Sequence, residues 1–182
     1  MINTHNGIKE RGINPINIED YPAIKTHLDL FYPLLVKRTD KGNTPYNLRN
    51  CAYMDDFYKQ KIVWGNLNLQ AGFSFAPAGY FVNAPSPLIA SESNLLLTFL
   101  NSKIADYYIR SLGVTRNGGY FEYKPMFVEL LPIPDYIKDE SLEQKCKELL
   151  SKKTENFEDA INKIFYKLYE LSTEEIEFIE SR

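Results

Sequence analysis

Between Ser91 and Ser111 the apolar side chains return at helical intervals. Leu95, Leu96, Phe99, Leu100, Ile104, Tyr107 and Tyr108 share one face, and Ser91 or Ser93 stands where an N-cap is needed. This spacing predicts one helix ending near Ser111. The residues ahead of it follow a different rule. Lys61-Ile62-Val63-Trp64, Phe73-Ser74-Phe75, Tyr80-Phe81-Val82 and Leu88-Ile89-Ala90 are short β-like runs cut apart by Gly, Pro and Asn. Strands of three or four residues beside a long amphipathic helix restrict the chain to an α+β fold: a small antiparallel or mixed sheet, here a meander, with helices packed on it.

The flanks extend this plan. Residues 1–20 are polar and rich in Asn, with Gly7, Gly12 and Pro15 interrupting any period, and read as an extended segment. Asp20-Tyr21-Pro22 places a capping side chain ahead of a proline suited to a first helical turn, and Ile24, Leu28, Phe31 and Leu35 form one helical face expected to lie on the core, with Pro33 as a possible kink. Residues 37–50 are turn-prone and carry four cations. After the helix, Gly113–Gly119 is a glycine-bearing loop, followed by a strand over Tyr120–Tyr123 and a short helix over Pro125–Leu131. From 135 on, Glu, Lys and Leu dominate. Ser141-x-x-Gln144 and Ser172-x-x-Glu175 read as capping boxes, and Ile161, Ile164, Phe165 and Leu168 form an apolar stripe. The expected division is a domain over 1–134 and a helical C-terminal tail over 135–182.

Charge and chemistry narrow the function classes. The chain carries a net charge of −3, but the acidity is in the tail: residues 1–134 hold 13 Lys and Arg against 11 Asp and Glu, and residues 135–182 hold 8 against 13. A weakly positive body permits nucleic acid without requiring it, because local clustering outweighs the sum. No apolar run approaches the ~20 residues of a membrane helix, and no signal peptide opens the chain, so a cytoplasmic location without membrane partners is expected. Cys51 and Cys146 have no partner at metal-ligand spacing, and His5 and His27 do not cluster with them. Pro134-Asp135 with Glu143-Gln144-Lys145 imitates a nuclease metal set. Glu143 and Lys145, however, stand two apart in a helical run and face different ways. An Asn- or Asp-Pro-Pro-aromatic loop for a flipped base is missing, as is a glycine-rich turn following a strand for a nucleoside cofactor. No catalytic residue, metal or cofactor is therefore assigned to this chain, and it is not expected to be an enzyme alone.

What remains is a set of cationic and amide side chains among aromatics on turns. Arg38, Lys41 and Arg49 flank Tyr46 and Asn50, and Arg116, Asn117, Tyr120 and Lys124 surround the second loop. Arginine offers guanine a bidentate pair, asparagine suits adenine, and lysine neutralises phosphate. Taken singly, each of them is better explained as part of a solvated charged face with ordinary turn residues.

The order of landmarks adds to this. Asp20-Tyr21-Pro22-Ala23-Ile24, Lys37-Arg38-Thr39-Asp40-Lys41-Gly42, Tyr46-Asn47-Leu48-Arg49-Asn50-Cys51, Phe57, Lys61-Ile62-Val63-Trp64, Leu100-Asn101-Ser102-Lys103-Ile104, Gly118-Gly119-Tyr120 and Leu130-Leu131-Pro132-Ile133-Pro134 follow one another. Over roughly residues 10–134 the chain resembles the TaqI-like C-terminal specificity domain, the target-recognition domain of restriction–modification methyltransferases and related phage-defence methyltransferases. Leu168–Ile176 looks like the end of such proteins. The resemblance implies a module that reads double-stranded DNA, with Lys61 joining the loop residues above as a candidate contact. It also implies a partner methyltransferase domain, in cis or in trans, that binds S-adenosylmethionine and methylates adenine, with Mg2+ and a nuclease domain in members that also cut. On that reading the 182 residues are an excised fragment or a separate subunit. An alternative from another class is a protein–protein assembly module whose acidic tail docks a partner.

Overall fold

A computed structural model describes residues 2–133, 139–152 and 156–182 and shows the α+β fold. The chain separates into two compact units, Met1–Met54 and Asp55–Arg182.

The first unit is held together by polar groups. Its elements are 3-10 turns at Lys9–Arg11 and Ile18–Asp20, helix α1 (Pro22–Asp29) and helix α2 (Tyr32–Lys37). Asn47 is buried, and its side chain accepts from the Thr44 hydroxyl (2.7 Å) and donates to the Ile16 carbonyl (2.9 Å). Thr4, also buried, donates its hydroxyl to the Tyr46 carbonyl at 2.6 Å and its own carbonyl accepts from the Leu48 N–H. The Asn-rich N-terminal segment is thereby tied to the 42–48 turn. Two expectations change here. Asp20 does not cap α1, whose N-cap is Tyr21 without a side-chain bond; Pro22 at the first position removes a donor that would otherwise need a cap. The 22–35 face does not lie on a core. The helix breaks around Leu30–Phe31, α2 takes Pro33 in its first turn, and neither helix contributes a buried residue, with Leu30 74% and Leu34 68% exposed.

The second unit has the apolar core. Strand β1 (Lys61–Val63) is central, flanked antiparallel by β3 (Ser74–Ala76) and β4 (Leu88–Ala90), with Ile62 opposite both Phe75 and Ile89. The first strand in the chain thus sits in the middle, which is not a meander. A two-stranded ladder joins β2 (Leu67–Asn68) to β5 (Phe121–Glu122). The expected strand at Tyr80–Val82 does not form. The Gly79 N–H turns back to the Phe57 carbonyl, and the Phe81 ring stacks on Phe57 at 4.7 Å, so this run packs through its rings and not through a ladder.

The expected single helix over 93–111 is two: α3 (Asn94–Leu100), capped by Ser93, and α4 (Lys103–Leu112), capped by Ser102. The break is built by polar side chains. Ser102 takes an extended backbone to accept from the Ala105 N–H, and the Asn101 amide both accepts from the Phe73 N–H (2.9 Å) and donates to the Phe73 carbonyl (3.0 Å). Such a residue costs less at a cap than inside a helix.

After α5 (Pro125–Val128) come α6 (Glu140–Lys152), α7 (Phe157–Leu168) and α8 (Thr173–Glu180). The stripe read from the sequence is the packed one: Ile161, Ile164 and Phe165 are buried, and Phe165 meets Phe99 at 5.2 Å between ring centres. Cys146 of α6 is wholly buried in the same core as Leu95, Phe99 and Leu100, and burial pushes its thiol above the usual value. The helices after residue 139 are therefore part of the second unit's core. Ser172 and Glu175 form the expected capping box. Ser141 does not: Asp139 stands ahead of α6 and accepts from the Ser141 and Leu142 N–H groups. Among the described residues no helix is long and apolar enough to cross a membrane.

Candidate nucleic-acid interface

In the first unit, the 37–50 loop spends most of its predicted contacts on itself. Arg38 donates to the Asn47 carbonyl at 2.8 Å and pairs with Asp40. Lys41 reaches the Val36 carbonyl at 2.7 Å, satisfying an acceptor that the end of α2 would leave open. Tyr46 donates its hydroxyl to Asp29 at 2.6 Å, a bond that pushes the phenol up to about 12 and holds the Asp29 carboxyl low. Arg49 and Asn50 differ from these. Both are exposed, and their side chains have no partner among the described residues.

Lys61 is corrected outright. It is fully buried in β1, and its ammonium donates to the Pro77 carbonyl at 2.9 Å, so it presents no charge to a ligand. Its stem fills core space while its head finds an acceptor beside the strand.

In the second unit, the 113–124 loop brings its four predicted residues together. Between α4 and β5 the backbone closes tightly: the Arg116 N–H donates to the Tyr120 carbonyl at 2.7 Å, and the Gly119 N–H returns to Arg116. Gly118 (φ 81°) and Gly119 (φ 80°) supply two successive left-handed residues that a side chain would strain. Asn117 and Tyr120 are exposed on this turn.

Glu122 organises the cations. Its carboxylate is buried, one oxygen accepting from the Arg116 Nε at 2.6 Å and the other meeting the Lys124 ammonium at 2.8 Å. The Lys124 bond first, and Arg116 second, hold this carboxyl below the usual glutamate range. Arg116 and Lys124 remain 53% and 42% exposed. With Nε and Nη2 turned to Glu122, the Nη1 edge of the Arg116 guanidinium is left for an outside acceptor, on a side chain that no longer pays full rotamer entropy to be placed.

Glu122 was missed from the sequence. Strand alternation carried the signal, since in Tyr120-Phe121-Glu122-Tyr123-Lys124 the first, third and fifth side chains share a face. The other face is polar within. Asp106, buried on α4, accepts from the Ala71 N–H (2.7 Å), Arg110 (3.1 Å) and the Tyr123 hydroxyl, and Arg110 lies over the Phe121 ring at 4.0 Å. Burial and then the Asp106 bond push the Tyr123 phenol well up.

Of the imitated metal set, Pro134 and Asp135 lie outside the described residues. Glu143 is engaged elsewhere. Its carboxylate accepts from the Ser93 hydroxyl, the Asn94 N–H and side-chain amide, and the Leu95 N–H at 2.7–2.9 Å, capping α3 from a neighbouring helix. No protein-family model matches the chain, and no curated protein matches it significantly.

Proposed function

We propose that this chain is a double-stranded DNA recognition module of an adenine methyltransferase of the restriction–modification type, with methyl transfer from S-adenosylmethionine performed by a domain outside these 182 residues. The observation that carries the reading is the Arg116–Glu122–Lys124 arrangement. A buried carboxylate fixes two half-exposed cations beside an exposed asparagine and tyrosine on a rigid glycine turn. A base-reading arginine needs this kind of preorganisation, because its discrimination comes from placement of a donor pair and not from charge alone. The landmark order that resembles target-recognition domains supports the same reading. Arg49 and Asn50, exposed on the first unit and without a side-chain partner among the described residues, are that unit's own candidates for phosphate contact. On this reading the chain has no catalytic residue of its own, and Arg38, Lys41 and Tyr46 shape their loop.

The apolar stripe of the tail, Ile161, Ile164 and Phe165, is buried in the chain's own core, so an assembly reading would have to use the tail's exposed acidic face.

The test is selection of duplexes from a randomised pool, followed by fluorescence anisotropy on the selected and a scrambled duplex. Arg116→Ala is expected to weaken the selected duplex about 10- to 100-fold and the scrambled one by less than about twofold. Arg49→Ala is expected to weaken both alike and to flatten the salt dependence by about one phosphate contact. Equal losses on both duplexes for Arg116→Ala, or a pool that never enriches, would count against the reading.

A further inference from the structure

A cleft of about 630 Å3 opens in the second unit between the β2–β3 connection, α3, α4 and α7, and a smaller depression of about 240 Å3 shares part of its lining. The shared residues are Lys103, Asp106, Arg110 and Arg182, so three cations and one carboxylate stand at the junction of the two hollows. The carboxylate is already satisfied, since Asp106 accepts from the Ala71 N–H, Arg110 and Tyr123. Arg110 is fixed by that pair and by the Phe121 ring beneath it. Lys103 is two turns ahead of Arg110 on α4 and so on the same face, and its ammonium has no partner among the described residues. The walls on both sides are aromatic: Phe73, Phe75 and Phe157 in the larger hollow, Tyr107, Phe121 and Phe178 in the smaller. The Asn162 carbonyl oxygen is taken by the Lys103 N–H at 2.8 Å, which turns its amide nitrogen into a spare donor at the cleft.

We infer that this cleft binds a nucleotide, with its phosphate at the Lys103–Arg110–Arg182 junction and its flat base against an aromatic wall. The size suits a ligand of that scale, and neither half of the lining explains the other without a molecule that is anionic at one end and planar and weakly polar at the other. An unpartnered ammonium beside an oriented guanidinium favours phosphate; Arg110 covers Phe121 and Arg182 covers Phe178, so the half-buried Phe75 and Phe157 of the larger hollow are the rings left for stacking. This inference does not rest on duplex recognition by the 114–124 loop, which uses other residues. The nucleotide could be free or could belong to an unpaired stretch of a DNA strand.

Isothermal titration with adenosine 5′-monophosphate, adenosine and a single-stranded thymidine tetranucleotide separates these cases. The monophosphate is expected to bind, adenosine to bind at least about tenfold more weakly, and Lys103→Gln to weaken the monophosphate about tenfold while leaving the thermal midpoint unchanged, since the Lys103 ammonium has no partner among the described residues. A tetranucleotide binding much more tightly than the monophosphate identifies a strand as the source, and equal affinities identify the free nucleotide; both support the inference. Adenosine binding as well as its phosphate, Lys103→Gln binding like the parent, or no heat with any of the three at millimolar concentration would overturn it. Arg116→Ala serves as the outside control and is expected to leave the monophosphate untouched.

Discussion

Glu122 makes an acid-sensitive contribution whose sign follows from its surroundings. Its carboxyl is depressed in the folded chain relative to the ordinary 4.5, so the stability it brings is present above that value and is lost as pH falls through the lower folded value. The thermal midpoint of the parent is expected to exceed that of Glu122→Gln near neutral pH, and the gap to close as pH falls below the ordinary glutamate value of 4.5. A gap that persists at low pH would show that the charge on Glu122 is not what holds Arg116 and Lys124. The same variant is expected to lose duplex discrimination while keeping both cations, because freed side chains must again be ordered on binding. Part of this was legible in the sequence: Arg116, Asn117 and Tyr120 do share one turn, and Lys124, beyond β5, meets Arg116 at Glu122. Their organiser was not, because a glutamate near two cations reads as charge balance until its burial is known. Lys61 failed in the opposite way. A lysine at the head of an apolar run looks like a surface cation, and only the carbonyl of Pro77, sixteen residues on, lets it be buried.

At the scale of elements, a carboxylate from one helix caps another. Burial raises the Glu143 carboxyl, but the Leu95 and Asn94 donors and the Ser93 hydroxyl outweigh burial and hold it low. Glu143→Ala is expected to destabilise the second unit by about 2 kcal/mol in a denaturant melt, whereas Gln144→Ala, at an exposed neighbour, should cost little. Periodicity found the helical faces over 95–108 and 161–168, and capping boxes pointed to the helices near Ser141 and Ser172, because these signals are local. It could not find the break at Asn101-Ser102. Nothing local distinguishes a polar residue that interrupts a helix from one that merely faces water; the reason lies at Phe73, twenty-eight residues earlier. The lost strand at Tyr80–Val82 has the same cause in reverse, since its β-forming residues found rings and not a ladder. Asp139 displaced Ser141 as a cap because the boundary of α6 fell two residues earlier than the serine suggested.

On the scale of the whole molecule, the two units are held by different forces. The first has Asn47 and Thr4 at its centre, while the second buries Phe99, Leu100, Ile109, Ile161 and Phe165. The single tryptophan, Trp64, is buried in the second unit with its indole N–H on the Tyr123 carbonyl at 2.6 Å, so its fluorescence reports that unit alone. Residues 55–182 made separately are expected to unfold cooperatively with the tryptophan signal of the full chain. Residues 1–139 should show no cooperative transition, because removing α6 and α7 strips cover from Leu95, Phe99 and Leu100, each worth about 2 kcal/mol of burial. A retained sharp transition in the shorter chain would mean that those helices are an appendage after all. The helix break has one more effect at this scale. Edge strands invite another copy of the chain to add itself by main-chain pairing. By occupying both the N–H and the carbonyl of Phe73, the Asn101 amide takes up the main-chain groups just where β3 begins, so this border of the sheet offers only three residues for such pairing.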